Sequence, residues 1–284
     1  MLAPPAPATF PGKNGKIAFE HKVRGGLSEV YTMRRDGSHE RRLAPGEVPA
    51  FSPSGRKVLF SPRHENSLYT IRANGTRLRR IPHTSRSWDG GFAPSGKKIV
   101  FTRSARHDFA SSDLYTIRLD GSHRKRITRS GEAGGASFSP NGRWIVFNFG
   151  RSCYICLIRL NGTGLRALTD HSGTGVRDGG PHFSPNGRRV VFTRVTDDDV
   201  GPERWGVYTI RLDGTHLRRV YERTNEVIRG GVFSPDGRKI VFTRREYFWK
   251  YSRIYTIKPD GSRLRRLSHG RGHHEWLSWG VRPR

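Results

Sequence analysis

The sequence predicts an all-β fold: a six-bladed β-propeller of four-stranded antiparallel blades, its ring closed by a C-terminal strand that joins blade one. Three observations carry this. A Phe-Ser-Pro-x-Gly motif recurs along the 284 residues, each copy is followed by two short apolar runs and an Asx-Gly turn, and the last segment supplies the one strand that the first copy lacks.

The motif reads Phe51-Ser52-Pro53-Ser54-Gly55, Phe92-Ala93-Pro94-Ser95-Gly96, Phe138-Ser139-Pro140-Asn141-Gly142, Phe183-Ser184-Pro185-Asn186-Gly187 and Phe233-Ser234-Pro235-Asp236-Gly237, with a degenerate first copy at Phe10-Pro11-Gly12. Each copy closes a strand A and opens a turn. Strand B follows as Ile17-Ala18-Phe19, Val58-Leu59-Phe60, Ile99-Val100-Phe101, Ile145-Val146-Phe147, Val190-Val191-Phe192 and Ile240-Val241-Phe242. These runs are short, β-branched and apolar at every position, as strands buried on both faces are. Strand C reads Val30-Tyr31-Thr32-Met33, Leu68-Tyr69-Thr70-Ile71, Leu114-Tyr115-Thr116-Ile117, Val207-Tyr208-Thr209-Ile210 and Ile254-Tyr255-Thr256-Ile257, while copy four puts Cys156 at the Tyr position. Asp36-Gly37, Asn74-Gly75, Asp120-Gly121, Asn161-Gly162, Asp213-Gly214 and Asp260-Gly261 then read as two-residue hairpin turns. A short basic strand D ends each unit, as in Arg41-Arg42-Leu43 and Arg265-Arg266-Leu267. Four antiparallel strands in 41–50 residues is the size of one propeller blade.

The first copy has a poor strand A, and Glu275-Trp276-Leu277-Ser278-Trp279 reads as an orphan one that completes blade one. Drawn at the motifs, the blades fall at about 10–48, 49–90, 91–135, 136–181, 182–231 and 232–275, with 276–284 completing the first. Residues 1–9 read as a disordered tail or the remnant of a secretory signal, since Ala6-Pro7-Ala8 resembles the small-residue end of such a signal.

These repeats resemble the WD-like repeat of the TolB family of bacterial periplasmic propellers, over about residues 10–283 and six times in succession. The resemblance implies a TolB-like binding scaffold without the N-terminal domain of TolB, placed in the periplasm or secreted, with a cytoplasmic location as the alternative. It implies no named partner.

Composition narrows the classes. Lys plus Arg number 52 against 24 acids, for a net charge of +28. That charge attracts polyanions and opposes self-association, so a monomer is expected. No apolar run is long enough for a transmembrane helix. Cys153 and Cys156 form a C-x-x-C on a strand, where residues three apart sit roughly 10 Å from each other on opposite faces. A disulfide does not span that distance, and no second Cys pair completes a zinc site. No cofactor is expected.

In an A-B-C-D meander the A–B and C–D turns share one face of the disc. The B–C and D–A connections share the other, where sequence varies and where binding is expected. Its aromatic candidates are Trp88, Trp205, Trp249 and Trp276, as stacking surfaces for a peptide or sugar. The B–C loops Arg106–Phe109, Asp197–Trp205 and Tyr247–Tyr251 belong to the same face. Glu47, Asp89, Glu132, Asp178 and Glu275 each precede a strand A and are expected to ring one channel mouth, either to hold a cation, a metal ion or a basic peptide segment, or paired to nearby Arg. The favoured reading is a non-catalytic scaffold that binds a protein or peptide. Two alternatives stand beside it: an enzyme acting on an acidic sugar or lactone at the channel mouth, and a polyanion binder working through the Arg-rich strand D rim. On that rim, charge also serves to stop edge-to-edge pairing.

Overall fold

The computed structural model describes residues 9–22, 26–62, 65–105, 111–150, 154–171, 174–197, 201–246, 251–269 and 272–283. Cys153, the loops 106–109 and 247–250 with Trp249, and the tail 1–8 lie outside the described residues. Among those described, twenty-four strands form six four-stranded sheets. Blade one holds β1 (Asn14–Lys22), β2 (Ser28–Met33) and β3 (Arg41–Pro45). Blade two is β4 (Glu47–Phe51), β5 (Lys57–Ser61), β6 (Tyr69–Arg72) and β7 (Arg79–Arg80). Blade three is β8 (Ser87–Phe92), β9 (Lys98–Ser104), β10 (Ser112–Arg118) and β11 (Lys125–Arg126). Blade four is β12 (Ala133–Phe138), β13 (Trp144–Phe149), β14 (Tyr154–Arg159) and β15 (Arg166–Ala167). Blade five is β16 (Val176–Phe183), β17 (Arg189–Thr196), β18 (Arg204–Arg211) and β19 (Arg218–Thr224). Blade six is β20 (Glu226–Phe233), β21 (Ile240–Glu246), β22 (Arg253–Ile257) and β23 (Arg265–Arg266). The last strand, β24 (His273–Val281), pairs antiparallel with β1 and gives blade one its inner strand.

The core lies between blades. Phe19, Phe60, Phe101, Phe147, Phe192 and Phe242, at one position of the strand next to the innermost in each blade, are all buried. Burying a side chain of that size contributes about 1.5–3 kcal/mol, and the repeat delivers it six times from one sequence position. The outer strands β7, β11, β15 and β23 are two residues long and exposed. Short charged edges resist pairing with another molecule.

The inner strands begin upstream of the motif boundaries, at Glu47, Ser87, Ala133, Val176, Glu226 and His273. Thr9, grouped with the tail by sequence, is buried and donates its hydroxyl to the Phe233 carbonyl at 3.0 Å. The Asx-Gly turns also differ from the two-residue hairpins expected. The Gly37 N–H reaches the Arg34 carbonyl at 2.9 Å and the Arg34 N–H reaches the Ser38 carbonyl at 2.8 Å, and the other five turns repeat this pattern. Three residues therefore form each loop, with glycine alone of the Asx-Gly pair at positive φ. The Asx side chain stays at ordinary φ because it is otherwise employed: Asp213 Oδ1 accepts from the Thr215 N–H at 2.9 Å and hydroxyl at 2.7 Å.

Successive Pro-x-Gly turns are stacked around the same face as the Asx-Gly turns. A Cβ on Gly96, Gly142, Gly187 or Gly237 would meet Pro53, Pro94, Pro140 or Pro185 of the preceding blade. At the sixth interface the Gly12 N–H donates to the Pro235 carbonyl at 3.1 Å. Between blades one and two no such turn is available, because β24 enters blade one from the far end of the chain. Residues Val281–Pro283 fill the place instead, and a Cβ on Gly55 would lie 2.0 Å from the Val281 carbonyl oxygen.

Candidate binding site at one channel mouth

Inner strands bulge near the mouth that carries the B–C and D–A connections. In β4, β12, β16, β20 and β24 the register shifts just where Val48, Gly135, Gly180, Gly230 and Trp276 take positive φ. An extra residue there bends the strand and re-aims its neighbours. Blade three sets its bulge one residue earlier, between Ser87 and Asp89. Glu275 therefore pairs with Glu20, Glu47 with Ser61, Asp89 with Thr102, Gly134 with Asn148, Gly179 with Thr193 and Arg229 with Thr243, all at one level of their blades. Round the axis the order is acid, acid, acid, glycine, glycine, arginine. The acids are contiguous on blades one to three and cover an arc of the mouth.

Glu20 reinforces the arc from β1. It is 6% exposed, and its Oε2 has no hydrogen-bond partner. Burial, together with the like charges of Glu47 and Glu275, pushes its carboxyl up to about 8. Asp89 is buried as well. Its Oδ1 accepts the Thr102 N–H at 3.1 Å, its Oδ2 has no partner, and burial raises it to about 6. A buried, unsatisfied carboxylate is costly unless something supplies a proton or a positive charge. Arg229 supplies one at the end of the arc, 4.0 Å from Glu275.

Behind Glu275 lies a histidine pair. His274 is fully buried against Phe19, and its Nδ1 is 3.3 Å from His21 Nδ1. Burial and the facing cations hold His274 down to about 3, so it is neutral at physiological pH. Its backbone N–H donates to the Ser252 hydroxyl at 2.6 Å, and that hydroxyl donates to the His274 carbonyl at 2.8 Å. Among the described residues, no group of three or more His, Cys, Asp or Glu is placed to hold a metal ion.

The other sequence candidates are not members of the arc. Asp178 is buried, but Arg194 grips it through Nε at 2.7 Å and Nη2 at 2.8 Å, and His171 Nε2 sits 2.8 Å away. Burial alone would raise its carboxyl, and Arg194 and His171 outweigh that and hold it low. Asp178 is thus a structural anion rather than a member of the arc. Glu132 is exposed just before β12. Trp205 donates to Glu203 at 3.1 Å and packs under the Arg229 guanidinium, while Trp88 and Trp276 are half-buried at their bulges. Cys156 is buried and free, with its thiol pushed up to about 11.

Two features escaped the sequence reading. The column after the strand B Phe reads Glu20, Ser61, Thr102, Asn148, Thr193 and Thr243. Thr102 and Asn148 use it to accept the bulge N–H of the next blade, from Gly135 at 3.1 Å and Gly180 at 3.2 Å. Glu20 is the one ionisable residue in that column, and the odd member was the available signal. One position later, Arg103, Arg194 and Arg244 lie over the rings of Tyr115, Tyr208 and Tyr255. The repeated Phe-Thr-Arg triplet marks this cation–π device.

Comparison with known proteins agrees with the architecture. A chain of TolB from Acinetobacter baumannii superposes with a TM-score of 0.80 at 18% identity, over 96% of this chain and 68% of that one. A chain of a nidogen/laminin complex gives 0.71 at 13% identity, over 93% and 98%. Oligogalacturonate lyase in complex with manganese gives 0.62 at 13% identity, over 93% and 77%. At these identities the likeness is one of fold. No curated protein matches the sequence. The model of the TolB beta propeller domain matches residues 44–200, more than half of the chain, and the protein belongs to the TolB β-propeller family.

Proposed function

We propose that this propeller is a non-catalytic binding scaffold of the cell envelope or the extracellular space. An extended protein or peptide segment docks on its B–C/D–A face and seats a basic group against the acid arc. The observation that carries the reading is the pair of buried carboxylate oxygens, Glu20 Oε2 and Asp89 Oδ2, left without partners within that arc. An ammonium or guanidinium entering the mouth would satisfy them, taking the place of the proton that Glu20 otherwise holds, and would offset the charges of Glu47 and Glu275. Membership of the TolB family supports a scaffold role. The arc also bears on the enzyme alternative, because it would repel an acidic sugar at the same mouth.

The test is an array of labelled extended peptides, each presented with a central Lys or Arg and again with Gln in its place. Wild-type protein is expected to select basic members. The Glu47→Gln/Glu275→Gln double variant is expected to lose at least tenfold in affinity for them, as removal of charged hydrogen bonds does. Equal binding of basic and Gln members, or selection unchanged in the double variant, would sink the reading.

A further inference from the structure

The opposite face carries a second site, independent of the reading above. The residue after the turn glycine is a cation in blades two to six: Arg56, Lys97, Arg143, Arg188 and Arg238, all exposed. The acids in the turns of that face are Asp36, Asp120, Asp213, Asp236 and Asp260. Each of these already accepts hydrogen bonds from its own turn, as Asp36 does from the Ser38 N–H and hydroxyl. These bonds keep the aspartates ionised, and the face is positive because its cations outnumber them.

At one place it also surrounds a cavity. Blade one lacks an A–B turn because its inner strand arrives from the other end of the chain. Beside the Val281–Pro283 segment that stands in for the turn opens a cleft of about 1050 Å³. Lys16, Arg34, Arg35, Arg56, Lys57, Arg72 and Arg282 line it, all exposed. Arg56 aside, none of these makes an ion pair with a described residue, and Asp36 is the one acid in the lining. A second cleft of about 760 Å³ lies across the same segment and shares Arg56 and Arg282 with the first.

We propose that this cleft between blades one and two binds an oligophosphate, a ligand with several phosphate groups in succession. The arginine fork matches phosphate oxygens in pairs, and converging cations in excess of the acids beside them are what such a ligand requires. No aromatic side chain lines either cleft. Nucleic-acid bases and sugar rings would find no surface to stack on. What remains to be recognised is dense anionic charge on a flexible chain.

Calorimetric titration of the full chain with inorganic tripolyphosphate at low salt tests this. Saturable binding is expected, and Arg34→Ala/Arg72→Ala should weaken it by about tenfold or more. Arg188→Ala/Arg189→Ala removes the same charge from the same face at blade five and should weaken it by less than about twofold. Thermal melts of both variants establish that they are folded. Citrate and a single-stranded oligonucleotide serve as competing anions. A poly(glycerol phosphate) oligomer that outbinds tripolyphosphate would keep the site and name a phosphodiester polymer as the source of the phosphates, whereas tighter tripolyphosphate would name the inorganic chain. The proposal falls if tripolyphosphate does not saturate, if the two double variants lose affinity equally, or if citrate or the oligonucleotide binds as well as tripolyphosphate.

Discussion

Glu20 occupies a column where the other blades place Ser, Thr or Asn, and its burial has a sign that pH can read. Its folded carboxyl lies near 8 against an ordinary 4.5, so the folded state holds a proton that the unfolded chain has released. Its contribution to stability is complete below about pH 4.5 and is lost as pH rises through about 8. Glu20→Gln removes that dependence while keeping the shape. The melting temperature of the variant, relative to wild type, is expected to be near zero or below at pH 5 and to become positive by pH 9; a difference that stays flat with pH would refute the assignment. His274 runs the other way, since its depressed value makes stability rise with pH between about 3 and 6.5, and His274→Gln, which removes that rise, separates the two. At this scale sequence told only part of the story. Glu47, Asp89 and Glu275 were visible as acids ahead of inner strands. Glu20 was not, because it sits on strand B and reaches the same level only through pairing with Glu275. Asp178 looked equivalent to the others until the fold brought Arg194, sixteen residues on, across to neutralise it.

Among the elements, strand order and number could be read directly, since a β-branched run between two turn signals has few other uses. Local turn geometry and bulge position could not. Asp-Gly is compatible with both two- and three-residue loops, and the choice falls on the serine or threonine that follows, which gives the Asx carboxylate a local partner. Bulges depend on what the next blade needs, as with the Gly135 N–H bonded to Thr102. Among glycines at positive φ, the space around a Cβ sets the rank. A Cβ on Gly180 would meet nothing within 4 Å, whereas on Gly55 it would strike the Val281 carbonyl. Gly180→Ala should cost about 1 kcal/mol for its left-handed backbone, and Gly55→Ala about 2–4 kcal/mol once the clash is added. Urea unfolding midpoints will rank them; equal losses would mean that the β24 segment does not hold the seam between blades one and two.

For the whole molecule, closure rests on Trp279, which occupies in β24 the place that Phe51, Phe92, Phe138, Phe183 and Phe233 hold in the other inner strands and is 3% exposed. Trp279→Ala should remove about 3–5 kcal/mol and lower Tm by about 10 °C, with the loss spread beyond blade one because β24 also packs against β4 of blade two and β20 of blade six. A transition that splits into two steps would show the blades to be less coupled than this. The two faces differ in a way that acts at a distance. Acids gather around the mouth served by the variable connections, while on the face of the stacked turns arginine and lysine outnumber the acids. Such a disc is polarised along its own axis. Before any contact forms, the field of a negatively charged surface turns it so that the turns lead and the acidic mouth trails, facing away into solution.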